Sequence, residues 1–190
     1  MKKLEIILVI VFIIANILRI LHLPASGVLT VLSLSALAQL YFMFSFALFN
    51  NIGFRKLFKS ESYKNIEIKK IVLPGLIGAF GFSTTIIGIL FKLMFWKGSS
   101  FNLAIGLFLM SIIFIIISIM FFKDKAYYKR ILIRFVIIGF IGTLLYFTPT
   151  TKIVDFFYGK TEYSEALKNV MTHPQNEEYR NTLDSLRDLR

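Results

Sequence analysis

Residues 81–101 read GFSTTIIGILFKLMFWKGSSF. By helical spacing this apolar run carries Gly81, Thr85, Gly88 and Lys92 on one face. It reaches Trp96 and breaks at Lys97-Gly98-Ser99-Ser100. A cation this deep in an apolar helix is costly unless something holds it. Much of the pattern occurs once before, in ANILRILHLPASGV at 15–28: apolar helix, basic residue, interfacial ring, short break, apolar helix. An offset of 73 (92 − 19) sets Arg19 on Lys92, Leu23 on Trp96 and Pro24 on Lys97. The two stretches predict two related membrane hairpins.

Working outward, the expected class is an all-α membrane protein with five transmembrane helices, two pseudo-repeated hairpins plus one, and a short helical periplasmic tail. The spans are about 4–23, 28–49, 71–96, 101–122 and 131–147, each of the length a helix needs to cross a hydrocarbon core. A hydrophobic content of 56% across 190 residues agrees. Lys2-Lys3, the apolar run and Ala25-Ser26-Gly27 also fit a cleaved signal peptide. Glu5 and Arg19 interrupt that pattern, and the echo at 81–101 accounts for the break as a hairpin turn.

Charge sets the orientation. Residues 1–149 hold 16 Lys/Arg against Glu5, Glu61, Glu67 and Asp124, while 150–190 hold six against seven acids. The excess lies at Lys2, Lys3, the six cations of 55–70, and Lys123, Lys125, Lys129 and Arg130; the other short connections hold Lys97 alone. Cytoplasmic loops take such an excess, so the N-terminus is expected inside and residues 150–190 outside the inner membrane. This distribution speaks for topology and membrane lipids as partners, and against nucleic acid. With no Cys and only His22 and His173, neither metal nor cofactor is expected.

Two groups of residues are candidates for roles. Gln39, Gly78, Gly81, Thr85, Gly88, Gly139 and Gly142 are small or amide residues of the kind that let membrane helices approach and bond. Arg19, His22, Lys92 and Trp96 form a candidate ligand- or lipid-binding group near the outer helix ends. There the cations either snorkel to headgroups or share one anion. No catalytic residue is expected. His22 is the only histidine in the membrane part, and Ser26 lies too near it in sequence to pair across a cavity. The spans at 6–49, 71–122 and 131–147 contain no Asp or Glu, which argues against a proton-coupled carrier.

The tail starts with KIVDFFYG at 152–159, placing Phe156, Phe157 and Tyr158 where an interfacial anchor belongs. Thr161 is placed to cap a helix of about 162–172, and His173-Pro174 breaks it. Tyr179, Leu183, Leu186 and Leu189 then make an apolar stripe. Residues 161–190 are the expected handle for an envelope protein partner, with docking against the chain's own bundle as the alternative.

Gly88-Ile89-Leu90-Phe91-Lys92-Leu93-Met94-Phe95-Trp96-Lys97-Gly98 resembles the end of the first helix of GldL, the inner-membrane stator subunit of the gliding and type IX secretion motor in Bacteroidota. That family's pattern is roughly G-x-L-F-K-x-x-H-W-P-G. The resemblance matches Lys92 to the family's intramembrane Lys and Trp96 to its Trp, with Phe95 in place of His and Lys97 in place of Pro. In the first hairpin His22 and Pro24 match and Leu23 replaces the Trp. The family's second helix carries a Glu after Gly-Leu; here Gly106-Leu107 leads into Phe108-Leu109-Met110-Ser111. The resemblance therefore implies a membrane hairpin of that lineage without its proton-handling acid. The resulting expectation is a non-catalytic accessory or assembly subunit of a cell-envelope complex. The alternatives are a small transporter or channel for an anionic or lipidic ligand near Arg19/Lys92 and, third, an intramembrane enzyme.

Overall fold

The computed structural model describes residues 1–23, 25–64, 66–122 and 124–188, and its regular elements are helical. Pro24, Lys123 and Leu189 of the expectations above lie outside the described residues. Five long helices come first: α1 (Lys2–Ile20), α2 (Ser26–Phe49), α3 (Lys69–Leu93), α4 (Ser99–Phe121) and α5 (Lys125–Phe147). Three short ones follow: α6 (Thr150–Tyr158), α7 (Glu162–Thr172) and α8 (Glu177–Asp188). Of the described helices, α2, α3, α4 and α5 are long and apolar enough to cross a membrane.

The inner layer is α2 and α3; α1, α4 and α5 flank it. Half of the apolar window of α2 and 61% of that of α3 are buried, against 22% in α4 and 17% in α5. Sequence explains the division. On α3, small residues let neighbours come close: a Cβ on Gly78 would lie 2.1 Å from Ser45 of α2, and one on Gly88 would lie 2.7 Å from the Leu103 Cα of α4. Gly106 answers from α4, where a Cβ would meet the Thr85 Cα at 2.7 Å. Such backbone approach is how helices associate where lipid is as apolar as leucine. In α4 the Ile/Leu/Phe run instead leaves Phe101, Phe108, Ile115 and Ile119 exposed, as a lipid-facing surface requires.

Pro74 sits early in α3, and Ile77–Ser83 then widens into a π-type stretch. Such widenings arise where the regular bond ladder is interrupted. Phe82 in that stretch is fully buried, with Tyr41, Phe49 and Phe135 rings 5.1–6.0 Å away. At the start of α3, Lys70 Nζ pairs with Asp124 at 2.9 Å, and Asp124 caps α5 through the Tyr127 amide. Both contacts, the ammonium first, hold the Asp124 carboxyl below its ordinary pKa.

Several expectations need correction. Gln39 points outward and donates only to Met43 on its own helix, so it bonds no neighbouring helix among the described residues. A Cβ on Gly139 would meet Met110 at an ordinary 3.5 Å, so no close approach depends on it; Gly142, at 3.1 Å from Thr85, is tighter. The helix of segment three ends at Leu93, leaving Trp96 beyond it, and that of segment five starts at Lys125 rather than Ile131. The tail holds three helices instead of two, because 150–158 is itself helical.

Candidate functional site

The two hairpin turns have the same backbone. Helices α1 and α3 end 73 residues apart (93 − 20), and α2 and α4 start 73 apart (99 − 26). In the first turn the Leu23 amide donates to the Leu18 carbonyl (2.9 Å) and the His22 amide to that of Arg19 (3.1 Å). In the second, Trp96 donates to Phe91 (3.0 Å) and Phe95 to Lys92 (3.4 Å). This pair of bonds, with a left-handed residue between the helix and its last partner, is the Schellman helix stop. His22 and Phe95 occupy the left-handed position, both at φ +59°. A second left-handed residue follows in each turn, Ala25 at +67° and Gly98 at +76°.

Trp96 is explained by the same motif. A Schellman stop is commonly closed by an apolar contact between the residue after the turn and the one five before it. Here the Trp96 and Phe91 rings meet edge-to-face, 5.0 Å apart. The residue pattern F-K-x-x-x-W therefore encodes how a membrane helix stops.

The basic residues of the two turns part company. Arg19 is 4% exposed, its side chain turned into the bundle. It reaches across to the second hairpin, where Nη1 donates to the Leu93 carbonyl at 2.7 Å, an acceptor left over at the end of α3. Its Nη2 donates to the Tyr158 hydroxyl at 3.3 Å, and its guanidinium lies over Phe157 (4.5 Å) and Phe95 (4.9 Å). Burial against ring faces and a helix C-terminus suits a weakly hydrated cation. Lys92 is 3% exposed, and its ammonium makes one long bond among the described residues, 3.4 Å to Ser100 in its own hairpin. His22 is exposed, edge-on to Tyr158 at 6.1 Å. Arg19, His22 and Tyr158 thus come together around the end of α3, while Lys92 keeps to its own turn.

At the opposite end of the bundle is a polar cluster that the sequence reading missed. Glu5 of α1 is 8% exposed; Arg134 of α5 grips its carboxylate with Nε and Nη2, both at 2.6 Å, and the Tyr41 hydroxyl of α2 donates to the same group. Bidentate contacts of this kind are the strong ones among ion pairs. The Arg134 guanidinium also lies 5.6 Å from the Phe49 ring. The available signal was Arg134 itself, a lone cation inside ILIRFVII that calls for an acid partner. The absence of acids within residues 6–49 stands, yet Glu5, one residue earlier, supplies a carboxylate to the bundle.

The tail meets the second turn. Thr161 and Ser164 cap α7 reciprocally, and Leu167, Val170 and Met171 of α7 face Met94–Ser99 across a shared cavity. α6 belongs to the bundle's packing, with Ile153, Val154 and Phe157 buried and Phe156 exposed. No group of three or more His, Cys, Asp or Glu able to hold a metal occurs among the described residues.

Long apolar helices, lipid-type outer faces and polar groups turned inward define a helical membrane protein. Residues 77–134, from the π stretch of α3 through α4 into α5, match the GldL N-terminal domain family model, which bears out the resemblance read from 88–98. The first hairpin lies outside the matched segment. No curated protein and no solved structure matches the chain.

Proposed function

We propose that this chain is a non-catalytic accessory or assembly subunit of a multi-protein complex in the bacterial inner membrane. It is a five-span bundle built from two repeated hairpins plus α5, with the N-terminus cytoplasmic and α7–α8 outside. The match to the GldL N-terminal domain over 77–134 is the observation that carries the reading. The repeat draws support from the identical turn bonds at an offset of 73. The fifth span, α1, draws support from its apolar exterior at Ile6, Ile10, Ile13 and Ile17, with Glu5 and Arg19 turned inward. Deleting 161–190 tests the partner role, because no span's backbone bonds depend on that segment. Co-purifying envelope proteins vanish while the bundle stays folded if the tail is the handle. Unfolding of the bundle favours a purely structural tail, docked on the second turn.

A transporter or channel for an anionic ligand draws on one observation: the buried Arg19 Nε has no hydrogen-bond partner among the described residues. A ligand shared by Arg19 and Lys92 requires the two Gln substitutions to couple by more than ~0.5 kcal/mol in thermal stability, the point at which additivity fails. Additive losses leave the accessory reading alone.

A further inference from the structure

Helices α1 and α5 are tied at one end by Glu5 and Arg134. Toward the other end they enclose a cavity of about 450 Å³, within the ~300–1,000 Å³ range of ligand sites. Phe12 and Asn16 of α1 face Ile141, Leu144 and Leu145 of α5, and Lys152, Phe156 and Phe157 of α6 close the end. The uncharged polar side chains in its walls are engaged on their own helices: Asn16 donates to the Phe12 carbonyl (2.7 Å) and Thr148 to that of Leu144 (2.7 Å). What remains is an apolar slot whose rim residues Phe140, Leu144 and Phe156 are exposed on the lipid-facing side.

Lys152 gives the slot a charge. It lines the α6 end, is exposed, and makes no hydrogen bond or ion pair through its side chain among the described residues; the nearby acid on α6, Asp155, is taken by Lys168. We infer that this cavity holds one acyl chain of an anionic phospholipid from the leaflet that meets α6, with the lipid phosphate at Lys152. An apolar cavity open to a bilayer has alkyl chains as its available filler. An unpaired ammonium at its mouth selects a negative headgroup. The inference rests on the five-span reading, which puts α1 in the bilayer beside α5 and which cysteine labelling tests separately.

The experiment uses the full chain in nanodiscs of phosphatidylcholine containing phosphatidylglycerol with a diazirine-bearing acyl tail. Crosslinks are mapped by peptide, and retained lipid is counted by native mass spectrometry. The expected result is one retained phosphatidylglycerol, with crosslinks concentrated in 140–148 and 152–157. Leu144→Trp blocks the mouth at an exposed position without disturbing the core, and should abolish those crosslinks. Lys152→Ala should lower the preference for phosphatidylglycerol over phosphatidylcholine about fivefold, the worth of one cation near an anionic headgroup. Crosslinks spread evenly over the outer faces of α4 and α5, or unchanged in Leu144→Trp, mean annular lipid only and overturn the site. Equal retention of the two lipids by the unsubstituted chain overturns the headgroup assignment.

Discussion

In the first hairpin, α1 is fastened to its neighbours by charged side chains, Glu5 to Arg134 and Tyr41 at one end and Arg19 to Leu93 and Tyr158 at the other. In the second, α3 and α4 meet through backbone, with Gly88 against Leu103 and Gly106 against Thr85. The turns that close the two hairpins are nearly superposable in their bonds. The same turn thus serves two ways of joining helices where lipid offers no hydrophobic drive: polar groups that must find a partner, and small residues that allow contact. The difference also shows where two of the charges of α1 go: Glu5 and Arg19 turn into the bundle, while Lys2 and Lys3 stay exposed.

Breaking the polar fastening should have the largest effect. Glu5→Ala leaves the partly buried Arg134 without its acid, a loss approaching the ~3–5 kcal/mol of a fully buried pair. Thermal unfolding in detergent should show it. Adding Arg134→Met should recover much of the loss, because the stranded charge goes with it. A double variant no more stable than Glu5→Ala contradicts the pairing.

The backbone contact is next. Gly88→Ala places a Cβ 2.7 Å from the Leu103 Cα, so α3 and α4 must separate, at about 1–3 kcal/mol. Gly75 is the control, since a Cβ there would meet nothing within 4 Å among the described residues. Its change to Ala should gain about 0.5–1 kcal/mol of helix stability. Equal effects at the two glycines mean that close approach is not what Gly88 supplies.

An effect smaller than that of Gly88 lies in the turns themselves. Ala25 and Gly98 occupy matching left-handed positions, and only the alanine is strained there. Gly98→Ala should cost about 1–2 kcal/mol, and Ala25→Gly should return part of that amount to the first hairpin. Opposite signs in the two melting shifts sharpen the likeness of the turns; equal signs break it.

Much of this was legible in the sequence. The helix breaks, the Thr161 cap and the His173 break follow from local chemistry, and the offset of 73 located both turns because a helix stop is a short-range pattern. Helix ends were misplaced by up to six residues, at Ile131 against Lys125, because a cationic loop and a solvated helical turn have the same composition. The Glu5–Arg134 pair was hidden by its separation of 129 residues, which no local periodicity reports. Trp96 was grouped with Arg19, His22 and Lys92 by its place near the outer helix end; its ring contact with Phe91, which closes the helix stop, is a short-range pattern that the grouping did not use. Gln39 shows the converse: an amide in an apolar run suggested an interhelical bond, and a thioether one turn away takes it instead.

The claim on which most depends is that α1 crosses the membrane. Single cysteines at Lys2, Ala126 and Ser185 in this Cys-free chain, labelled with an impermeant maleimide on spheroplasts, address it directly. Five spans with the N-terminus inside require that only the cysteine at 185 reacts before lysis, with 2 and 126 protected together. If the cysteine at 2 reacts along with 185 while 126 stays protected, α1 lies on the outer surface, four helices span, and the five-span bundle is wrong.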